Sequence, residues 1–176
     1  MRDTVELVTT VVFVGLVGAA GIWDLRTRRI PNWLTAGSLF IALVLKGLAG
    51  PAAFWDGLMG AGLGLAVGLV LFAIRALGGG DGKLMIAVGA FLGYERMPGA
   101  LLAIGVIGGF LGLGEAIRRR VILPSLYNAV DMLRRWITFK RAEEPRTIES
   151  PGAVTVPYGV AISAGAIAWW FWGVPL

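Results

Sequence analysis

Thr4-Val-Glu-Leu-Val-Thr-Thr-Val-Val-Phe-Val-Gly-Leu-Val-Gly-Ala-Ala-Gly-Ile-Trp23 runs with a single charge and gives way to Asp24-Leu-Arg-Thr-Arg-Arg-Ile-Pro-Asn32. About 20 apolar residues rising ~1.5 Å each cover the hydrocarbon of a bilayer, so this stretch reads as a membrane-crossing helix. It starts after only Met-Arg-Asp, as a secretory signal would. A signal, however, has a shorter apolar core and a small-residue cleavage site, whereas this run ends in Trp-Asp-Leu-Arg and is followed by further apolar runs. It is read as a retained first helix, and the mean hydropathy of +0.77 extends the membrane reading to the whole chain.

The same ruler predicts an all-α membrane protein of six helices at roughly 4–23, 33–49, 57–77, 83–96, 99–117 and 154–174. The fourth is the weakest span: either it tilts, or the glycine loop before it dips below the membrane surface. Lys and Arg set the orientation, because cytoplasmic connections carry their excess. Arg26, Arg28 and Arg29 follow the first helix; Arg75 and Lys83 flank the third connection; Arg118, Arg119, Arg120, Arg134, Arg135, Lys140, Arg141 and Arg146 fill the fifth. Of the 16 basic residues only Arg2, Lys46 and Arg96 fall elsewhere. Both termini are therefore expected on the outer, periplasmic side, with Trp169, Trp170 and Trp172 in the outer aromatic belt and Trp23 and Trp33 at the inner one.

A chain of 176 residues that is 57% hydrophobic leaves little for a separate soluble domain, so residues 1–176 read as one membrane-embedded unit. Its net charge of +5 reads as the topological bias plus attraction to anionic lipid, not as a nucleic-acid surface. Residues 118–150 form a basic cytoplasmic loop in which 121–139 allows a helix lying on the membrane. Glu143, Glu144 and Glu149 there either belong to a solvated loop or dock a basic partner peptide. Gly60, Gly64 and Gly68 recur every four residues on the third helix, and Gly105 with Gly109, or Gly108 with Gly112, repeat the spacing on the fifth. Such ribbons let helix backbones approach closely, within the chain or across a homodimer.

The chain has no cysteine and no histidine, which removes disulfides, thiol nucleophiles, Ser-His and Cys-His dyads and the usual zinc sites. Asp24 and Asp81 stand out because a carboxylate near hydrocarbon is costly, by roughly 2.5–3.5 kcal/mol at mid-membrane on insertion scales, and is a functional-site candidate by default. Two that meet make an acid/base pair: held close they cannot both ionise cheaply, so one takes a proton from water while the other donates one. Gly78, Gly79 and Gly80 remove Cβ atoms before Asp81 and allow close approach of a backbone. Asp81 is expected just before the fourth helix, whose free N–H groups favour an anion, and Lys83 pushes the same way. On that reading Asp81 is the more readily ionised member and Asp24 the proton carrier. A phosphate loop is excluded by spacing, since Leu77 and Leu84 occupy the positions that need glycine and Ser or Thr. No metal or other cofactor is needed, because two carboxylates alone are a poor transition-metal site.

Asp24-Leu-Arg-Thr-Arg-Arg-Ile-Pro-Asn32, Gly78-Gly-Gly-Asp-Gly-Lys-Leu84 with Ala90-Phe-Leu-Gly93, and Val156-Pro-Tyr-Gly-Val-Ala-Ile162 resemble the three signature stretches of the type IV prepilin peptidases. The resemblance implies an aspartic endopeptidase of the bacterial inner membrane that removes the basic leader of prepilins at the cytoplasmic face, with Asp24 and Asp81 catalytic. Longer members carry an extra segment between the first two helices and also methylate the new N-terminus. Here only Asp24–Asn32 separates those spans, so the chain looks like the compact peptidases of Flp (tight-adherence) pilus systems.

Among the neighbours, Pro31 is expected to start the second helix, where its missing N–H is harmless. Asn32 caps that turn or hydrogen-bonds near the site, and Lys83 either anchors at the interface or tunes Asp81. Pro157 and Tyr158 shape the start of the last helix, and Glu115 pairs with Arg118 or Arg119. Three rivals compete: a proton-coupled carrier, which would show inverted repeats that the sequence lacks; a non-catalytic pilus-assembly scaffold; and a different Gly-x-Gly-Asp protease, against which Ile30-Pro31-Asn32 argues.

Overall fold

A computed structural model describes residues 2–74, 76–118 and 157–173. All secondary structure among them is helical: α1 (Arg2–Thr27), α2 (Asn32–Ala49), α3 (Pro51–Ala73), α4 (Gly79–Leu92), α5 (Met97–Arg118) and α6 (Tyr158–Trp172). Helices thus stand at all six expected places. α1, α2, α3 and α5 are long and apolar enough to cross a membrane, while α4 and α6, with 14 and 15 residues, are shorter.

The helix ends differ from the spans read by hydropathy. α1 continues past Trp23 through Asp24 to Thr27, because Asp-Leu-Arg-Thr contains no breaker and the chain turns only at Arg28, whose φ is 55°. Asp24 is therefore inside the last turn of a helix. α3 begins at Pro51, which serves as its first residue, and closes at Ala73. α4 begins at Gly79 and takes Asp81 into its first turn. Pro31 sits one position before α2, extended at φ −63° and ψ 138°, and its carbonyl accepts the N–H groups of Leu34 and Thr35.

The residues form two compact units. The first comprises Met1–Gly108 with Pro157–Leu176, the second Gly109–Val156. In the first, α1 lies antiparallel to α6: Asp24 meets Gly159, the Ser163 hydroxyl donates to the Val17 carbonyl at 2.7 Å, and the Trp170 indole donates to the Thr10 hydroxyl at 3.2 Å. At the far end Phe13 stacks on Trp170 with ring centroids 4.5 Å apart and meets Phe91 of α4 edge-on at 5.3 Å. Trp23 and Trp33 pair edge-on at the opposite end of α1.

The glycine ribbon of α3 packs this chain against itself. A Cβ at Gly60 would strike the Gly89 carbonyl, one at Gly64 the Met85 carbonyl, and one at Gly68 would stand 3.2 Å from the Gly82 Cα. α3 and α4 therefore touch backbone to backbone along an antiparallel crossing. Gly105 and Gly109 on α5 approach nothing within 4 Å among the described residues. α2 joins α3 through Lys46, whose ammonium lies 3.0 Å from Asp56; Asp56 also accepts the Tyr94 N–H and so holds the turn after α4.

In the second unit, the described part is the end of α5, where Arg118 makes a two-pronged pair with Glu115 at 2.7 and 2.8 Å, as helical spacing predicts. Arg75, the rest of the 118–150 loop, its expected surface helix and Glu143, Glu144 and Glu149 lie outside the described residues.

Candidate active site

Asp24 is buried, with 5% of its surface exposed. α1 delivers it to the start of α6, where the Gly159 N–H donates to Oδ2 at 2.9 Å and the Val160 N–H lies alongside. The first N–H groups of a helix have no partner within it and carry the positive end of its dipole, so they suit an anion. Gly159 permits the approach: a Cβ there would lie 2.8 Å from Oδ2 and 2.9 Å from Cγ of Asp24. One turn on, Gly21 lies against Ser163 in the same way, holding α1 and α6 close over this stretch.

Asp81 is placed by its own helix. It occupies the third position of α4, and its Oδ2 accepts the Gly78 N–H at 3.2 Å in a capping arrangement. Three glycines in a first turn weaken a helix intrinsically; this carboxylate cap and the close packing of α4 offset that. Gly78 also needs its small size, since a Cβ there would stand 3.2 Å from Oδ2 of Asp81. Gly80 lies against Ile30 in the turn between α1 and α2.

The two carboxylates are within electrostatic reach of each other. Asp81 lies outside the four helices long and apolar enough to cross a membrane, and its carboxyl is pushed from 3.8 up to about 6, first by burial and then by the Asp24 charge, against the opposing Gly78 N–H. Tyr158, the first residue of α6, lies within reach of the Asp81 charge. Two acids 57 positions apart in the sequence, Asp24 in the last turn of α1 and Asp81 in the first turn of α4, thus lie near enough to feel each other's charge.

Lys83 is exposed and donates to the Asn32 Oδ1 at 2.8 Å, so Asn32 bonds across the fold and makes no side-chain cap on α2. Pro31 supplies the carbonyl that begins α2. Among the described residues no three potential metal ligands come together; two carboxyl groups held near each other can exchange protons. Gly159 is the residue that sequence reading passed over; its signal was a glycine within the first turn of a helix, directly after Pro157-Tyr158.

A helical, multi-pass membrane protein with a carboxylate pair at adjoining helix ends is the class these features define. The chain matches the type IV leader peptidase family over residues 11–113 and belongs to it. It is 33% identical over 117 residues to the prepilin leader peptidase/N-methyltransferase of Myxococcus xanthus (strain DK1622), which covers 62% of this chain and 35% of that protein. A protein of the same name from Burkholderia pseudomallei (strain K96243) is 28% identical over 159 residues, 86% of this chain and 42% of its own. One from Bacillus subtilis (strain 168) is 28% identical over 120 residues, covering 67% and 48% respectively. The chain spans about a third to a half of the length of these curated relatives. No solved structure gives a match.

Proposed function

We propose that this chain is an aspartic endopeptidase that removes the basic leader from prepilin-like proteins at the cytoplasmic face of the bacterial inner membrane. What supports the reading is that Asp24, bonded to the start of α6, and Asp81, in the first turn of α4, are near enough for one charge to raise the other's pKa. In this reading residues 1–176 act as one membrane-embedded domain with six spans and both termini outside. The substrate's apolar helix lies in the bilayer and its leader in the cytosol.

The hydrogen bonds favour Asp24 as the ionised base, the reverse of what the sequence alone suggests. Its Oδ2 receives the shorter backbone bond, 2.9 Å against 3.2 Å, from a helix start. Lys83, counted on to favour an Asp81 anion, is bonded to Asn32 instead. Asp24 takes a proton from water, the resulting hydroxide adds to the scissile carbonyl carbon, and protonated Asp81 donates to the carbonyl oxygen. Collapse of that tetrahedral species re-forms the carbonyl and breaks the C–N bond; the hydroxyl proton returns to Asp81, and the proton held on Asp24 leaves with the new amine. A protonated Asp81 below about pH 6 matches the donor role.

The turn between α1 and α2 is residues 28–31 and has no room for an inserted segment, which supports a compact Flp-type peptidase that cleaves without methylating. The family assignment and the site's two carboxylates weigh against a proton-coupled carrier or a scaffold. Co-expression with a prepilin decides the matter: the unmodified chain shortens the pilin on a gel, while Asp24→Asn and Asp81→Asn insert normally and leave it full length. Processing by either variant overturns the pair. The mass of the new N-terminus reads methylation separately, and an unmethylated amine is expected.

A further inference from the structure

Asp81 is held from both sides of its own sequence by the turn that follows Asp24. On one side Gly80 rests on Ile30, where a Cβ would stand 3.4 Å from the Ile30 Cβ and 3.5 Å from its backbone N and O. On the other, the Lys83 ammonium donates to the Asn32 side chain at 2.8 Å, across 51 residues of sequence. The turn is itself fixed to α1, because the Arg28 N–H donates to the Asp24 carbonyl at 2.8 Å and the Thr27 hydroxyl donates to the Arg29 carbonyl at 2.9 Å. The links close a ring that runs from Asp24 through Arg28, Ile30 and Asn32 to Lys83 and back to Asp81.

We propose that Asn32 and Lys83 are positioning residues: their hydrogen bond is an exposed strap that fixes the separation of the two carboxyl groups in the cleavage reaction. This rests on the peptidase reading above. The chemistry of the partners suits the task. A neutral amide accepts from the ammonium without adding a third negative charge beside two acids that already disfavour each other's ionisation. Gly82 packs on Gly68 of α3 and Gly80 on Ile30, and the Lys83–Asn32 bond adds a direct side-chain tie between the first turn of α4 and the turn that follows Asp24. Near-attack geometry is sensitive to displacements of this size: a shift of about 1 Å can cost about 100-fold in rate.

The test measures steady-state cleavage of a prepilin substrate by the full chain. Lys83→Met and Asn32→Leu are each expected to lower kcat by about tenfold with KM unchanged, the loss of one charged hydrogen bond. Lys83→Arg, which keeps a donor, retains most of the rate, and the Asn32→Leu/Lys83→Met double variant is no slower than either single one. The chain contains no cysteine, so Asn32→Cys with Lys83→Cys gives a unique thiol pair. Joining the two with a short bifunctional thiol reagent restores kcat, and a monofunctional reagent does not. Single variants that cleave at the unmodified rate, losses that multiply in the double variant, or a bridge that restores nothing would each overturn the strap. Bridge formation on a gel reads the geometry without any activity. Cleavage by Asp24→Asn or Asp81→Asn on the same substrate would instead defeat the peptidase reading.

Discussion

Gly159→Ala is the sharpest probe of how the fold presents Asp24. The new Cβ would lie 2.8 Å from the Asp24 Cβ, 2.8 Å from Oδ2 and 2.9 Å from Cγ. Comfortable carbon contacts are about 3.5–4.0 Å, so the end of α1 and the start of α6 must part by about 1 Å. That movement stretches the 2.9 Å bond from the Gly159 N–H beyond hydrogen-bonding range. Overpacking of this kind costs about 1–3 kcal/mol of stability, and moving the carboxylate by about 1 Å costs about 100-fold in rate. Gly18→Ala in α1, the helix that carries Asp24, is the control, because a Cβ there meets nothing within 4 Å. Prepilin processing over time and thermal unfolding in detergent are measured for both variants. Gly159→Ala is expected to be slow and less stable, and Gly18→Ala unchanged. Unimpaired processing by Gly159→Ala would mean that the start of α6 does not hold Asp24, and the helix-end account of the site would fall.

Three further outcomes follow from the packing and the charges. Because the Asp81 carboxyl is raised to about 6, the unfolded chain releases its proton first as pH climbs from about 4, so this group erodes stability between about pH 4 and 6 and most fully above. Asp81→Asn is thus expected to unfold at a higher temperature than the unmodified chain at pH 7 and to lose that advantage near pH 4; equal melting at both pH values refutes this. Gly60→Ala, which drives a methyl into the Gly89 carbonyl, is expected to destabilise by about 1–3 kcal/mol in a detergent unfolding assay, whereas Gly62→Ala, which meets nothing within 4 Å, is neutral. Ser163→Ala removes the 2.7 Å bond to the Val17 carbonyl and is expected to cost about 0.6 kcal/mol, the usual worth of a hydrogen bond between membrane helices.

The six helices were legible because apolar length is written directly in the chain, and Asp24 and Asp81 drew notice because a carboxylate beside an apolar run is conspicuous. Helix ends were not legible from the same signal. Hydropathy measures what lies in hydrocarbon, and a helix runs on through polar residues until something breaks it, as α1 does from Trp23 to Thr27. Gly78–Gly80 read as loop by propensity, yet Gly79 and Gly80 are helical, since Asp81 caps the turn and α3 packs on the backbone behind it. The α3 ribbon was read correctly as a packing surface, but the identical spacing on α5 has no such contact at Gly105 or Gly109 among the described residues. Spacing alone cannot name the partner. The contribution of Gly159 and the bond between Asn32 and Lys83 are tertiary facts, formed across 135 and 51 residues of sequence.

The two short helices account for Asp81 lying within reach of the Asp24 charge. At ~1.5 Å per residue α4 and α6 are about 21 and 23 Å long, against about 39 Å for α1. Their C-terminal ends are tied near one level of α1: Trp170 bonds Thr10, Phe13 touches both Phe91 and Trp170, and Arg96 donates to the carbonyls of Trp170 and Gly173. Measured back from that level, each short helix runs out near Asp24, so its first turn opens onto the last turn of α1. A helix start is the one place on a helix where unpaired N–H groups can meet a carboxylate. Cutting α4 and α6 to about this length therefore delivers two such starts to one point, with Asp81 built into one and Asp24 received by the other.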